Sequence, residues 1–309
     1  MQRSYCVTAT DPAGESVRRI LRRLFAALRS NVEGVLENAD VESLHDLRVA
    51  TRRTRTALSE TRRVLPPSIM DIFPHEFKWI ADVTGPCRDL DVMLLELDGY
   101  RHRTEIDDRT LGSLKEFLEE KQRLERGRLQ TALQSVRFQR LVEGWSRVLD
   151  TGAEEKPGPP LASQTTIDVA GRRILKAYRR MWKRGTQSGA DPPAVLLHRL
   201  RIDGKKLRYL LEFFSELYPR AIVARFVREL KQLQDVLGDF NDTGVQLTLV
   251  QEFIDHGTVS AETRAAARRL TQAIEERQRE LRAEIAERFA HLASDKTRKL
   301  YKKTFKTSL

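Results

Sequence analysis

Two cysteines, Cys6 and Cys87, are all that 309 residues contain. They cannot build a disulfide framework for a chain of this length, and neither belongs to a CxxC or Cys/His ligand pattern, so a reducing compartment is expected. Aromatic residues are scarce at 7%, which leaves few platforms for stacking nucleic-acid bases. No stretch approaches the roughly 18 apolar residues of a membrane span. The opening MQRSYCVTATDPAGES lacks the apolar core of a signal peptide. A cytoplasmic protein with no membrane partner is the expectation. Alternation of period two is missing as well, so the fold class reads as all-α. No Walker glycine loop, HExxH or i, i+4 histidine pair occurs, and neither a cofactor nor a metal is expected.

What the chain has in excess is positive charge. Lys and Arg number 55 against 44 Asp and Glu, for a formal charge of +11. That favours an anionic partner, whether nucleic acid, an anionic surface or a phosphate polymer, without choosing among them. The stretch Leu44 to Leu58, LHDLRVATRRTRTAL, concentrates the excess. On a helix at about 100° per residue, His45, Arg48, Arg52 and Arg55 fall within roughly 80° of one another, with Arg53 at the margin. Leu44, Leu47, Ala50 and Leu58 take the opposite arc. Successive turns of the cationic row are about 5.4 Å apart. No acidic residue interrupts it, so it is not neutralised from within as a solvated helix face usually is.

The pattern occurs twice. Leu197 to Leu211 reads LHRLRIDGKKLRYLL, and His198 follows His45 by 153 residues. Arg201, Lys205, Lys206 and Arg208 then stand where Arg48, Arg52, Arg53 and Arg55 stand, with Leu197, Leu200 and Leu211 on the apolar side. A chance charge run would not keep histidine, cations and leucines in register, so the chain is an internal duplication.

Other elements repeat too. A helix from about Ser16 places Val17, Leu21, Leu24 and Leu28 on one side, with Arg18, Arg19, Arg22 and Arg23 around it. Its counterpart begins at Gly171, where Arg173 and Lys176 answer Arg19 and Arg22. The histidine helix is expected to start over Asp40 to Ser43 and run to Leu65, stopping at Pro66-Pro67. The second copy is expected to start after Asp191-Pro192-Pro193 and end before Pro219. Phe73, Phe77, Ile80 and Val83 form a stripe repeated by Phe226, Leu230, Leu233 and Val236, most simply core, with Lys78 and Lys231 matching off the stripe. Gly85 and Gly238 are expected as left-handed helix ends. Arg88-Asp89 and Asn241-Asp242 would then open new helices, the aspartates capping them or orienting arginines.

Leu114, Phe117, Leu118 and Leu124, and later Leu270, Ile274, Leu281 and Ile285, give two charged closing helices narrow apolar seams. The division that follows is a first half over 1–150, a linker of composition TGAEEKPGPP over 151–160, and a second half over 161–309. The final KTRKLYKKTFK either extends the anion surface or docks Leu300, Tyr301 and Phe305 while its lysines stay solvated.

HDLRVATRRTRTAL with VTGPCRDLDVML, then HRLRIDGKKLRYLLE with LQDVLGDFNDT, closely resembles the CHAD domain, the conserved histidine α-helical domain. The resemblance implies two similar antiparallel helical bundles related by an internal pseudo-two-fold axis, with basic residues lining a central cavity or pore. It implies binding of inorganic polyphosphate, in some members at polyphosphate granules. The family's basic residues fall on His45, Arg48, Arg52, Arg53 and Arg55, and on His198, Arg201, Lys205, Lys206 and Arg208. Lysines replace an arginine pair in the second copy, keeping charge but losing the bidentate fork. Many relatives carry a triphosphate tunnel domain, for which the chain is expected to have no residues left.

The site expected is therefore a polyphosphate clamp of those ten residues. Arg19, Arg22, Arg173, Lys176, Lys78, Lys231 and Arg88 are second-tier members. Polyphosphate has no bases, so its recognition is electrostatic and geometric. Other polyanions are admissible partners. A nucleic-acid binder is the alternative, although no RNP, zinc-finger or helix-turn-helix signature supports it. A metal-dependent polyphosphatase or phosphotransferase is the lesser one, since such chemistry needs clustered carboxylates for Mg²⁺ and a positioned nucleophile. The expectation is a binding module without catalysis.

Overall fold

The computed structural model describes residues 4–37, 41–103, 108–151, 159–187, 192–256 and 259–306. Eleven α-helices account for nearly all of them: α1 (Ala13–Arg29), α2 (Val32–Leu36), α3 (Val41–Glu60), α4 (Pro67–Arg103), α5 (Asp108–Leu133), α6 (Val136–Thr151), α7 (Thr166–Thr186), α8 (Ala194–Phe213), α9 (Arg220–Asp255), α10 (Ala261–Ala293) and α11 (Asp295–Thr304). A single 3₁₀ turn, Ser215–Leu217, joins α8 to α9. No strand is present among the described residues beyond an isolated bridge between Pro12 and Thr165. The starts of α1 and α7 hold each other there, Ala13 N donating to Gln164 O at 2.8 Å and Thr166 N to Asp11 O at 2.9 Å.

Packing partners repeat along the chain. In the first half α1 packs on α3, α3 on α4 and α4 on α5; in the second α7 packs on α8, α8 on α9 and α9 on α10. The apolar arcs read from sequence are buried: Leu44, Leu47, Ala50 and Leu58 of α3, and Leu197, Leu200 and Leu211 of α8. So are Phe73, Phe77 and Ile80, and all four members of the second stripe. Two apolar cores result. The larger joins α1, α3, α6, α7 and α8 with the first parts of α4 and α9. The smaller, around Met93, Leu118, Val250 and Ile274, is built from the later parts of α4 and α9 against α5 and α10. Both draw on both halves of the sequence. The linker over 151–160 falls mostly outside the described residues, as do Asp40, where the histidine helix is expected to start, and Asp191, which precedes the expected start of its second copy.

Several local expectations give way. The histidine helix ends at Glu60, five residues before Leu65. Leu65 precedes Pro66, and a residue before proline is pushed out of the helical region. Pro67 instead opens α4, where its missing N–H costs nothing. Gly85 and Gly238 do not end helices: α4 and α9 run through both. Neither adopts a positive φ, so no left-handed cap forms. Asp89 and Asp242 accordingly lie mid-helix and cap nothing. Leu124 is 61% exposed and off the α5 seam. At the carboxy end the docking alternative holds. Tyr301 and Phe305 are fully buried, Tyr301 stacked between Tyr178 and Phe226 at centroid distances of 4.0 and 3.9 Å, and the lysines are exposed.

Candidate functional site

Helices α3 and α8 pack against each other, and each buries its leucine arc in the larger core. Their cationic rows are therefore turned toward a common region. Two cavities lie there. One, of about 600 Å³, is bounded by α3, the start of α4 and α8. The other, of about 480 Å³, is bounded by α3, α8 and α9. Arg52, Lys205 and Tyr209 line both, and so stand between them.

The larger cavity adds Arg55, Arg62, Lys78, Arg201 and Lys206, with His75, and has no carboxylate in its wall. The smaller adds His45, Arg53 and Arg208, together with Glu212, Asp235 and Asp239. Glu212 ends the acid-free reading of the rows: it pairs with Arg53 and lies 3.7 Å from Arg208. Both guanidinium groups also lie over the ring of Tyr209, 5.3 Å from its centroid. Lys206 is engaged as well, 3.4 Å from Glu60. Glu60 accepts from Arg180 at 2.9 Å, and Asp203 accepts from Arg180 and Arg184 at 2.7 and 2.6 Å, so a buried ion network underlies α8. Among the described residues no carboxylate ion-pairs with Arg52, Arg55, Arg201 or Lys205.

These cations strain against burial. Lys205 is held down to about 6 by desolvation first, then by Arg201, Arg52 and Arg208. Arg48 is lowered to about 10, again by burial first and then by Arg52. Arg201 is also lowered, by burial, with Asp242 acting the other way. Asp89 is raised by burial and by Asp242, while Arg48, Arg201 and Arg88 lower it. The two aspartates thus sit among the arginines as charge partners. Buried nitrogens of Arg48, Arg52, Arg53, Arg88, Arg201 and Arg208 have no hydrogen-bond acceptor. A buried donor without a partner is costly, and this many together fit an anion with several acceptor oxygens.

The remaining expected residues separate. Arg48 lies behind the cavities, donating to Thr84 Oγ1 at 3.0 Å and Ala81 O at 3.4 Å. It reaches α4 where Gly85 has no side chain to meet it. Arg88 lies beside His45, whose pKa it lowers after burial does. His198 is exposed, bonded to Asn241 Oδ1 at 3.0 Å, and lines neither cavity. Lys78 lines the larger cavity, paired at its exposed tip with Asp82 at 2.5 Å. Arg19, Arg22, Arg173, Lys176 and Lys231 line neither. Arg19 serves Asp11 and Glu15, Arg22 donates to Leu149 O, Arg173 is part-buried near Glu60, and Lys176 and Lys231 are exposed.

Sequence reasoning missed Arg62, His75, Tyr209, Glu212, Asp235 and Asp239. Glu212 carried a signal, four residues after Arg208 on one helix. The others lie on elements whose approach no spacing announces.

The class this defines is an all-α protein with a cationic cleft between two basic helices of repeated sequence. Residues 19–251 match the family model of the CHAD domain, and the chain belongs to that family. Its similarity to the crystal structure of the CHAD domain from the plant Ricinus communis has a TM-score of 0.78 at 26% identity, over 94% of this chain and 96% of that one. PptA from Streptomyces chartreusis shares the fold, with a TM-score of 0.71 at 17% identity over 90% and 99% of the two chains. Uncharacterized proteins from two strains of Mycobacterium tuberculosis are each 28% identical over 231 residues, 72% of this chain. The match spans 42% of the length of those relatives.

Proposed function

We propose that this protein binds inorganic polyphosphate between α3 and α8 and does so without catalysis. The observation that carries the reading is the larger cavity, whose wall holds seven Lys and Arg side chains and no carboxylate. Arginine forks and lysine points are the donors that phosphate oxygens take, and low-dielectric walls focus their potential on a bound polyanion. Membership of the CHAD family, the repeated order of packing partners and the two rows on adjacent helices support a pseudo-two-fold arrangement around a basic passage. His45, Arg52, Arg53, Arg55, Arg201, Lys205, Lys206 and Arg208 would face the ligand region, with Arg48 and Arg88 shaping it from behind.

The non-catalytic reading rests on the donor set. Among the described residues no group of three or more His, Cys, Asp or Glu side chains is placed to hold a metal ion. No described helix is long and apolar enough to cross a membrane. A granule rich in polyphosphate is the proposed location, on the strength of the proposed ligand alone. Reversing charge at Arg52 and Lys205 together is expected to remove most polyphosphate binding at moderate salt; unchanged affinity would refute the site. Polyphosphate should displace duplex DNA of any sequence. Incubation of polymer and protein with Mg²⁺ should release no phosphate, and sustained turnover would show an enzyme.

A further inference from the structure

A further cavity, of about 250 Å³, lies between α2, α3, α4 and α5 and shares no lining residue with the two cavities of the basic cleft. Leu44, from the apolar arc of α3, lines it together with Val35 and Leu129. Cys87 adds to the apolar wall. Its thiol is pushed up to about 11 by burial first and then by Asp91, so it stays uncharged and acts as a small apolar group. Into this wall α4 brings Asp91, whose side chain is 2% exposed. Gln122 Nε2 and an Arg126 nitrogen both donate to its Oδ1, at 2.6 and 3.1 Å. Its Oδ2 is buried with no hydrogen-bond donor among the described residues, and Arg126 Nε is buried with no acceptor. Arg123, exposed and lining the same cavity, adds a second guanidinium.

The duplication shows that this is no generic feature of the repeated fold. In the register that aligns Asp89 with Asp242, Cys87 corresponds to Phe240 and Asp91 to Gly244. Phe240 is a buried ring with the Arg282 guanidinium 5.0 Å from its centroid. The first half thus carries a thiol and a carboxylate where the second carries a ring and no side chain at all.

We infer that the cavity between α2, α3, α4 and α5 binds a small zwitterion with an apolar body, an α-amino acid with a branched aliphatic side chain. Its ammonium would take the open oxygen of Asp91, and its carboxylate Arg126 and Arg123. A cation alone would meet two guanidinium groups, and an anion alone would meet a buried carboxylate. A purely apolar ligand would leave both Asp91 Oδ2 and Arg126 Nε unpaired, which is costly. Adjacent opposite charges on one small molecule satisfy both. Drug-sized ligands occupy roughly 300–1,000 Å³, so a cavity of this size selects something smaller.

The test is calorimetry with the full chain and L-leucine as probe, beside isocaproate, which lacks the amine, and isoamylamine, which lacks the carboxylate. L-leucine should bind once per chain with a dissociation constant on the order of 1 mM or tighter. Each truncated probe should bind at least about tenfold more weakly, the scale of one lost charge-assisted contact. No binding of L-leucine, or either truncated probe binding as well as it does, would overturn the zwitterion site. Cys87→Phe gives the first half the ring that the second carries, and should abolish binding while the helical signal is kept. Retained affinity in that folded variant would overturn the location. Asp91→Asn keeps the shape and decides the matter if Cys87→Phe fails to fold. L-leucine and isocaproate should then bind alike, and an undiminished preference for L-leucine would overturn the pairing of ammonium with Asp91.

Discussion

Lys205 is the residue in which charge and burial conflict most. Its ordinary pKa of 10.5 falls to about 6 because the ammonium is desolvated beside Arg201, Arg52 and Arg208. In the free protein it is therefore mostly neutral at pH 7, and a bound polyanion would raise its pKa and draw in a proton. Polyphosphate affinity is expected to fall as pH rises from 6 to 8, with proton uptake visible by calorimetry in buffers of different ionisation heat. The linkage to stability has the opposite sense. Between about 6 and 10.5 the unfolded chain binds a proton at this position that the folded chain does not, so this residue's contribution makes stability rise with pH across that window. Lys205→Met should then raise the melting temperature by roughly 2 °C or more at pH 7 while weakening polyphosphate binding. A variant that loses both would show that the side chain is structural.

At the scale of the element, Gly85 and Gly238 resemble helix ends in the sequence, yet α4 and α9 each run on through them. The backbone there is helical, and a Cβ at Gly238 would meet nothing within 4 Å. Gly238→Ala is expected to stabilise the fold by about 0.5–1 kcal/mol in chemical denaturation, through the lost flexibility of the unfolded chain. A left-handed cap would have given the opposite sign. Gly185 on α7 is the contrast. A Cβ there would overlap the ring of Phe289, which is 8% exposed, so Gly185→Ala should cost about 1–3 kcal/mol by overpacking. Helix α8 depends on a different feature. Asp203 is 5% exposed and accepts from two arginines of α7. Asp203→Ala would remove the acceptor that Arg180 and Arg184 share and should destabilise by about 1–3 kcal/mol in chemical denaturation. The ion network also holds Lys206 through Glu60, so a reduced affinity should accompany that loss.

For the whole molecule, affinity should fall steeply with salt, since the larger cavity gathers seven Lys and Arg side chains against no lining acid. On nucleic acids such contacts cost about 0.7–0.9 log units per log salt for each phosphate neutralised. If the cavity and not the general +11 charge of the chain governs binding, neutralising Arg62 and Lys78 should flatten that slope. Neutralising the exposed Lys176 and Lys231 should leave it unchanged. Salt titrations of the two double variants separate these cases.

Periodicity, composition and internal repetition determined the helical class, the buried arcs of α3 and α8, and the cationic rows opposite them. Those properties depend on the angular spacing of residues along one helix, and that spacing is written in the sequence. Which cations meet was decided in three dimensions. Arg53 found Glu212, His198 was left outside both cavities, and Tyr209 came to stand between them, because the approach of α3, α8 and α9 is set by how their apolar faces pack. The sequence announced a row without acids; the fold supplied acids to one side of it. Only the tertiary structure could do that, since a carboxylate 159 residues away along the chain reaches Arg53 through space and not through any local spacing.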